Sequence, residues 1–175
     1  MDHAMYGADI LFGPEQMIRR FVKDSSFDQL ICVAIAKHSD FKLEGIEDKR
    51  TLLHARLIRD ADKLDNCRVK LEESMETLLD MDEKTVGASP ISPKVWESCK
   101  AEESVLSADR KTGMDYWMSY LALYFDINFL ETYQIIKEQD YIRRIAERVP
   151  YSREDTKEKV AYTVKKLEEK MNIQP

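Results

Sequence analysis

The sequence has little of what stabilises β-rich or disulfide-bonded proteins. Only five of its 175 residues are Gly and five are Pro, which disfavours an all-β fold with many tight turns and favours long helices. Its three cysteines, Cys32, Cys67 and Cys99, are odd in number and have no C-x-x-C spacing. We therefore expect free thiols rather than a disulfide framework.

Long apolar runs and an excess of positive charge are also missing. The longest clean apolar run, LICVAIA at residues 30–36, is far too short to span a membrane. The first residues already follow a helical pattern and do not resemble a signal peptide. The net charge of −6 gives no support to nucleic-acid binding through bulk electrostatics. We therefore expect a cytoplasmic protein that binds neither membranes nor nucleic acids.

Apolar residues recur at helical spacing along most of the chain. The longest such pattern covers residues 49–83 and forms a seam of Leu53, Leu57, Leu64, Leu71, Met75 and Leu78. The whole pattern predicts six to eight helices in one bundle-like, all-α domain over residues 1–175. Residues 80–112 are the exception, and we expect them to be an insertion or linker with a short helix that begins at Pro93.

The segment ARLIRDADKLDN, residues 55–66, brings acidic side chains against apolar ones. Asp60 lies in the leucine seam, and Asp62 and Asp65 share a neighbouring stripe. A carboxylate beside an apolar stripe must be paired, hydrogen-bonded or metal-bound, because burying it alone is very costly. Spacing alone favours pairing within the helix, for example with Arg59, but repulsion between Asp62 and Asp65 would also favour a cation between them. Both interpretations remain open at this point.

Two histidines lie at the ends of apolar helical stripes. His3 begins one stripe and His38 ends another, and a neutral imidazole is a good ligand for a transition metal, although a core His bonded to a carbonyl is the commoner case. His54 lies off the leucine seam and has no assigned role. Asp126, within LYFDINF, is expected to bond backbone amides or to pair with an Arg. The sequence has no phosphate-binding loop, G-x-S-x-G or H-E-x-x-H motif, so nucleophilic catalysis has no local support.

Three segments, in order and spacing, resemble the HD superfamily of metal-dependent phosphohydrolases. They are DHAMYGADILF, ICVAIAKHS and ARLIRDADKLDN, and residues 115–151 are also similar to the C-terminal part of one bacterial branch of that superfamily. The resemblance implies an all-α domain. It also implies a divalent metal centre (Mn, Fe, Co, Ni, Zn or Mg) that activates water for attack on a nucleotide or another small phosphate-containing molecule.

The resemblance also implies which residues bind the metal. Asp62 matches the family's later metal-binding Asp, and His3 and His38 match positions that supply extra His ligands to a second metal in some members. The supporting residues are Asp60, Lys63 and Asp65. No catalytic residue is assigned in this chain.

The sequence departs from the family pattern at its signature. It contains no His-Asp dipeptide and only three histidines, whereas a hydrolytic site needs about three or four protein ligands and an open position for water. We expect this chain to be inactive or impaired as a hydrolase, with a metal bound weakly or not at all. The alternative is a non-catalytic helical module for binding or assembly that derives from the HD fold, and a third interpretation is a plain helical bundle in which His3, His38 and Asp62 lie far apart.

The same departure predicts self-association. The family places its first His and the His-Asp pair in helices before DHAMYGADILF, so we expect this chain to be N-terminally incomplete, through a truncation or a natural loss. Missing helices would leave apolar faces exposed, and such patches promote association. We therefore predict a homodimer or larger assembly, with the helix that contains residues 30–36 or its neighbours near the contact.

Overall fold

The computed structural model describes residues 3–173, and within them the chain forms ten α-helices and no β-strand. The predicted all-α class is confirmed. The helices are α1 (His3–Phe12), α2 (Asp28–Lys37), α3 (Lys49–Glu72), α4 (Met75–Leu79), α5 (Glu83–Ala88), α6 (Pro93–Lys100), α7 (Gly113–Ala122), α8 (Leu130–Glu138), α9 (Tyr141–Glu147) and α10 (Glu154–Ile173). Short 3-10 helices cover Met17–Arg20, Ser25–Phe27, Ser107–Asp109 and Leu123–Asp126.

The helices outnumber the six to eight predicted because long periodic stretches are interrupted by local caps. The pattern over residues 49–83 ends its first helix at Glu72, and Ser74 then begins α4 by accepting a hydrogen bond from the backbone N–H of Thr77 at 3.1 Å. Asp82 caps α5 in the same way through the N–H of Thr85. Such caps satisfy helix N–H groups that have no partner within the helix.

The chain divides into two compact units, Met1–Asp62 and Lys63–Pro175, and the boundary falls within α3. The prediction of one domain over residues 1–175 therefore stays a prediction. Within residues 3–173 no helix combines the length and the hydropathy that a membrane crossing requires.

The first unit is built on the packing of α1 against α2. Its buried apolar residues are mostly small: Ala4, Ala8, Ala34, Ala55 and one larger side chain, Ile18. Gly7 lies against α2, because a Cβ added to it would meet Cγ2 of Ile35 at 3.8 Å. Most of the exposed large apolar side chains of the described residues belong to this unit: Met5, Tyr6, Ile10, Phe21, Phe27, Phe41, Leu53 and Leu57. In α2 only Ala34 is buried, so this helix is less enclosed than the apolar run at residues 30–36 suggests.

The second unit holds the large core of the protein. Trp117, Leu121, Tyr124 and Phe125 are buried there. The segment 80–112 also contributes to this core through Val86, Ile91, Val95 and Cys99. It is therefore more than a surface linker, since its short helices α5 and α6 carry buried side chains. Whether it is an insertion relative to the HD family pattern stays a prediction.

The leucine seam of α3 is only partly covered. Leu53 and Leu57 are 52% and 55% exposed, whereas Leu64 and Leu71 pack against the core of the second unit. Periodicity identifies the side of a helix on which apolar residues lie, but not where along the helix a packing partner is present.

Candidate metal-binding site

The packing of α1 against α2 brings His3 and His38 together. His3 is the first residue of α1, and His38 follows the last residue of α2. Their Nε2 atoms lie 3.2 Å apart, and the rings meet edge to face with centroids 5.0 Å apart. Small residues at the interface, Ala4, Ala8 and Ala34, allow the close approach of the two helices that this contact needs.

The hydrogen bonds of His38 define its tautomer. Its Nδ1 lies 2.7 Å from the carbonyl oxygen of Ile35. Because a carbonyl oxygen only accepts, Nδ1 must carry the proton, and Nε2 of the neutral ring then has a free lone pair. The Nε2–H of His3 can donate to that lone pair in the absence of a metal. A ring whose other nitrogen donates to a carbonyl has the usual arrangement of a metal-binding histidine.

The separation of the two Nε2 atoms suits a shared cation. Two nitrogens bound to a tetrahedral Zn²⁺ at about 2.0–2.1 Å would lie about 3.3–3.4 Å apart. The observed 3.2 Å between His3 and His38 is close to that value. The pair could therefore bind one metal ion once Nε2 of His3 has lost its proton and both lone pairs are turned toward the ion.

Arg59 holds the end of α2 in place. Its buried guanidinium donates to the carbonyl oxygens of His38 and Phe41 at 3.0 Å each, and also to that of Asp40. These bonds satisfy carbonyls at a helix end and in the connection after it, where no intrahelical donor is available. The sequence suggested Arg59 only as a partner for Asp62. Its role at His38 was missed, because it depends on the path of residues 38–41.

Two of the other residues implied by the resemblance lie at the surface. Asp62 is exposed, and Asp65 is exposed and forms an ion pair with Arg68 at 2.9 Å. In residues 3–173 no three His, Cys, Asp or Glu side chains lie close enough together to hold a metal ion. The structure thus brings together two of the three predicted ligands, His3 and His38, and Asp62 as a third ligand stays a prediction.

Two supporting residues of the DADKLD segment are buried. Asp60 is almost fully buried, and so is Lys63, whose Nζ lies 2.8 Å from Oδ2 of Asp126 and also donates to the carbonyl oxygen of Asp126. Asp126 thus has a structural role, as expected, although its partner is a Lys rather than an Arg. The ion pair neutralises a buried ammonium group that would be costly without a partner.

A second buried carboxylate was missed by the sequence analysis. Asp115 of α7 is fully buried and accepts hydrogen bonds from Ser92 N and Oγ at 2.7 and 2.6 Å, from Lys111 N at 2.9 Å and from Thr112 N at 3.1 Å. With Thr112 it also forms a capping box at the start of α7. The spacing T-x-x-D at residues 112–115 is a signal that could have identified this cap. Its hydrogen bonds join the start of α7 to Ser92 and to the residues just before the helix, so Asp115 stabilises the fold at this point.

The thiols of the second unit are poor candidates for metal binding. Burial raises the pKa of Cys67 to about 11 and that of Cys99 to about 12. A thiol binds metals as the thiolate, so a raised pKa opposes binding. Cys32, half-buried in α2, also has a raised pKa, mainly through burial.

Comparisons of the chain with protein-family models, with curated proteins and with solved structures find no match. The HD resemblance therefore remains an interpretation of the residues that carry it.

Proposed function

We propose that this chain is an HD-like helical module that binds a divalent transition metal through His3 and His38 and is inactive or impaired as a phosphohydrolase. The observation that carries the proposal is the 3.2 Å separation of the two Nε2 atoms, with Nδ1 of His38 bonded to Ile35. The HD resemblance pairs the same two histidines. A plain helical bundle would not require them to meet.

The chemistry of the donors selects among the metals that the resemblance implies. Imidazole nitrogen suits Zn, Ni, Co and Fe, whereas Mg prefers oxygen ligands and retains most of its water. His3 and His38 offer two nitrogen donors, so we expect Zn²⁺, Ni²⁺ or Co²⁺ to bind in preference to Mg²⁺ or Mn²⁺. The supporting contacts of Arg59 fix the turn that presents His38.

Two nitrogen donors fit metal binding but not a hydrolytic centre. Such a centre needs about three or four protein ligands with an open position for water, and no group of that size occurs in residues 3–173. We therefore derive no hydrolytic step for this chain. Hydrolysis of a small phosphate-containing molecule remains the second candidate, because the DADKLD segment retains the Asp62 that matches the family's metal-binding Asp.

Metal binding can be measured by equilibrium dialysis of the purified chain against Zn²⁺, followed by elemental analysis. We expect His3→Ala and His38→Ala each to weaken Zn²⁺ binding by at least tenfold, because each removes one of the two donors, and His54→Ala to leave it unchanged. Equal binding by all three variants would contradict the proposal. Asp62→Ala tests the third ligand in the same assay.

Phosphatase activity separates the two candidate functions. With a generic aryl phosphate ester and each divalent metal in turn, we expect no turnover above the metal alone. Turnover by the wild-type chain that is lost in both Asp62→Ala and His38→Ala would establish the hydrolase instead of the binding module.

A further inference from the structure

The second unit contains a cavity between the end of α8, the start of α9 and the last turns of α10. Its volume is about 220 Å³. That is far more than the roughly 10–15 Å³ that one water molecule needs, and somewhat less than the roughly 300–1,000 Å³ of pockets for drug-sized ligands. The cavity therefore has the size expected for a small metabolite.

The floor of this cavity is apolar. Ile136 of α8 and Ile142 of α9 line it and are only 1% and 3% exposed, and both belong to the core of the second unit. Met171 of α10 also lines it and packs against the same core. An apolar side chain of a ligand would lose its contact with water on this floor, which is favourable in proportion to the area buried.

The rim of the cavity carries charges of both signs. Arg143 lies between two carboxylates, with Nη2 3.5 Å from Oε1 of Glu168 and Nε 4.0 Å from Oδ1 of Asp140. Both distances exceed the roughly 2.7–2.9 Å of a charge-assisted hydrogen bond. The three side chains are 42–57% exposed, and exposed ion pairs of this kind contribute little to stability. A ligand can therefore rearrange them at little cost.

Lys137 completes the charged rim together with Asp140. Nζ of Lys137 lies 2.7 Å from Oδ1 of Asn172, and this neutral acceptor does not neutralise the ammonium group. Asp140 precedes α9 in the left-handed conformation, with φ of 51°, and its carboxylate forms no capping hydrogen bond to that helix. The rim thus offers two cations, Lys137 and Arg143, and two anions, Asp140 and Glu168.

We propose that this cavity binds a free α-amino acid with an aliphatic or thioether side chain, such as leucine or methionine. The carboxylate of the ligand contacts Lys137 and Arg143, its ammonium group contacts Asp140 and Glu168, and its side chain lies on the apolar floor. A zwitterion matches the equal numbers of cations and anions at the rim, whereas a simple anion or cation would meet repulsion as well as attraction there. The site does not depend on the proposed metal binding in the first unit.

The test is isothermal titration calorimetry of the full chain with L-leucine and L-methionine, in EDTA so that divalent metals take no part. We expect saturable binding of one amino acid per chain. 3-Methylbutylamine is leucine without the carboxylate, and 4-methylpentanoate is leucine without the ammonium group. We expect each to bind about tenfold more weakly or worse, because each leaves one pair of rim charges without its partner. Alanine, which cannot cover the apolar floor, should also bind more weakly.

Variants at the rim show whether the charges act as proposed. Arg143→Met and Asp140→Asn each remove one charge, and Asn tolerates the left-handed conformation of Asp140. We expect each to weaken leucine binding about tenfold or more. Arg144→Met is the matched control, because Arg144 is exposed on the same helix and contacts the carbonyl oxygen of Gln139 and the ring of Tyr141 instead. Circular dichroism of each variant shows whether the helices are retained.

Met171 reports where the ligand binds. In protein labelled with ¹³C at the methionine methyl groups, we expect leucine to shift the Met171 signal, which Met171→Leu identifies by its loss. No saturable binding of leucine or methionine would overturn the proposal, as would equal binding of the amine or the acid analogue. Equal leucine affinity in Arg143→Met and Arg144→Met, or shifts confined to other methionines, would also overturn it. Each of these results leaves the proposed metal site untouched.

Discussion

The Nζ atom of Lys63 lies 2.8 Å from Oδ2 of Asp126, and the two side chains differ sharply in exposure, at 4% and 42%. The ammonium group is enclosed, whereas the carboxylate can still contact water. The two partners therefore do not contribute symmetrically to stability, because only one of them would be left as a buried charge if the other were removed.

This asymmetry predicts different costs for the two single variants. We expect Asp126→Ala to reduce the free energy of unfolding by about 3 kcal/mol, since it leaves the Lys63 ammonium buried without its carboxylate. Lys63→Met should cost only about 1 kcal/mol, because the remaining carboxylate is partly hydrated and the apolar stem is preserved. Urea unfolding followed by circular dichroism measures both values, and an equal or larger cost for Lys63→Met would contradict the interpretation.

Arg59 should link the stability of the first unit to the histidine pair. Arg59→Ala removes the donor for the carbonyl oxygens of His38, Asp40 and Phe41, and we expect it to cost about 2–4 kcal/mol. We also expect Zn²⁺ affinity to fall roughly tenfold, as for other residues that position metal ligands. Arg56→Ala, an exposed position on the same helix, is the matched control. Unchanged affinity in Arg59→Ala would show that the turn does not position His38.

Asp115 should be sensitive even to an isosteric change. In Asp115→Asn an NH₂ group replaces one carboxylate oxygen. An NH₂ group at the position of Oδ2 cannot accept the hydrogen bonds from Ser92 Oγ, Lys111 N and Thr112 N. We expect a loss of about 2–3 kcal/mol in the free energy of unfolding. The exposed Glu97→Gln on α6 makes the same chemical change at the surface and should cost almost nothing. Similar values for the two variants would argue against the buried network around Asp115.

The three cysteines should differ in reactivity. Cys67 and Cys99 are fully buried, with pKa values raised to about 11 and 12, so their thiols are protonated and enclosed at pH 8. We expect Cys32, which is partly accessible, to react first with a chromogenic disulfide reagent in the native protein, and all three to react in denaturant. Rapid reaction of all three thiols without denaturant would contradict the burial of Cys67 and Cys99.

The sequence predicts the parts of this fold that depend on local spacing. The helical pattern of the first residues appears as α1 (His3–Phe12), α2 ends beside His38, and α6 begins at Pro93. Helical periodicity, Pro at a first helical position and a polar residue before it are all short-range signals. The enclosed aromatic residues of α7, such as Trp117, follow from the same density of apolar residues.

Long-range packing explains what the sequence did not predict. The buried carboxylate of Asp115 is held partly by Ser92, and Arg59 reaches carbonyls in a connection near residue 40. Neither contact has a periodic pattern that would reveal it. The exposure of Leu53 has the same cause: spacing identifies an apolar stripe on a helix, but not whether another element packs against it. Spacing alone could not bring His3 to His38 either, and that expectation came from the HD resemblance.

The most direct test of the central claim is a long-range ¹H–¹⁵N correlation spectrum of the histidine rings during titration with Zn²⁺. Before metal is added, we predict that His38 has its proton on Nδ1, as the bond to Ile35 requires. On titration, the Nε2 resonances of His3 and His38 should move together to metal-bound shifts, while those of His54 stay in place. A metal-free His38 with its proton on Nε2, or His3 and His38 resonances that do not respond to Zn²⁺, would contradict a metal site at this pair.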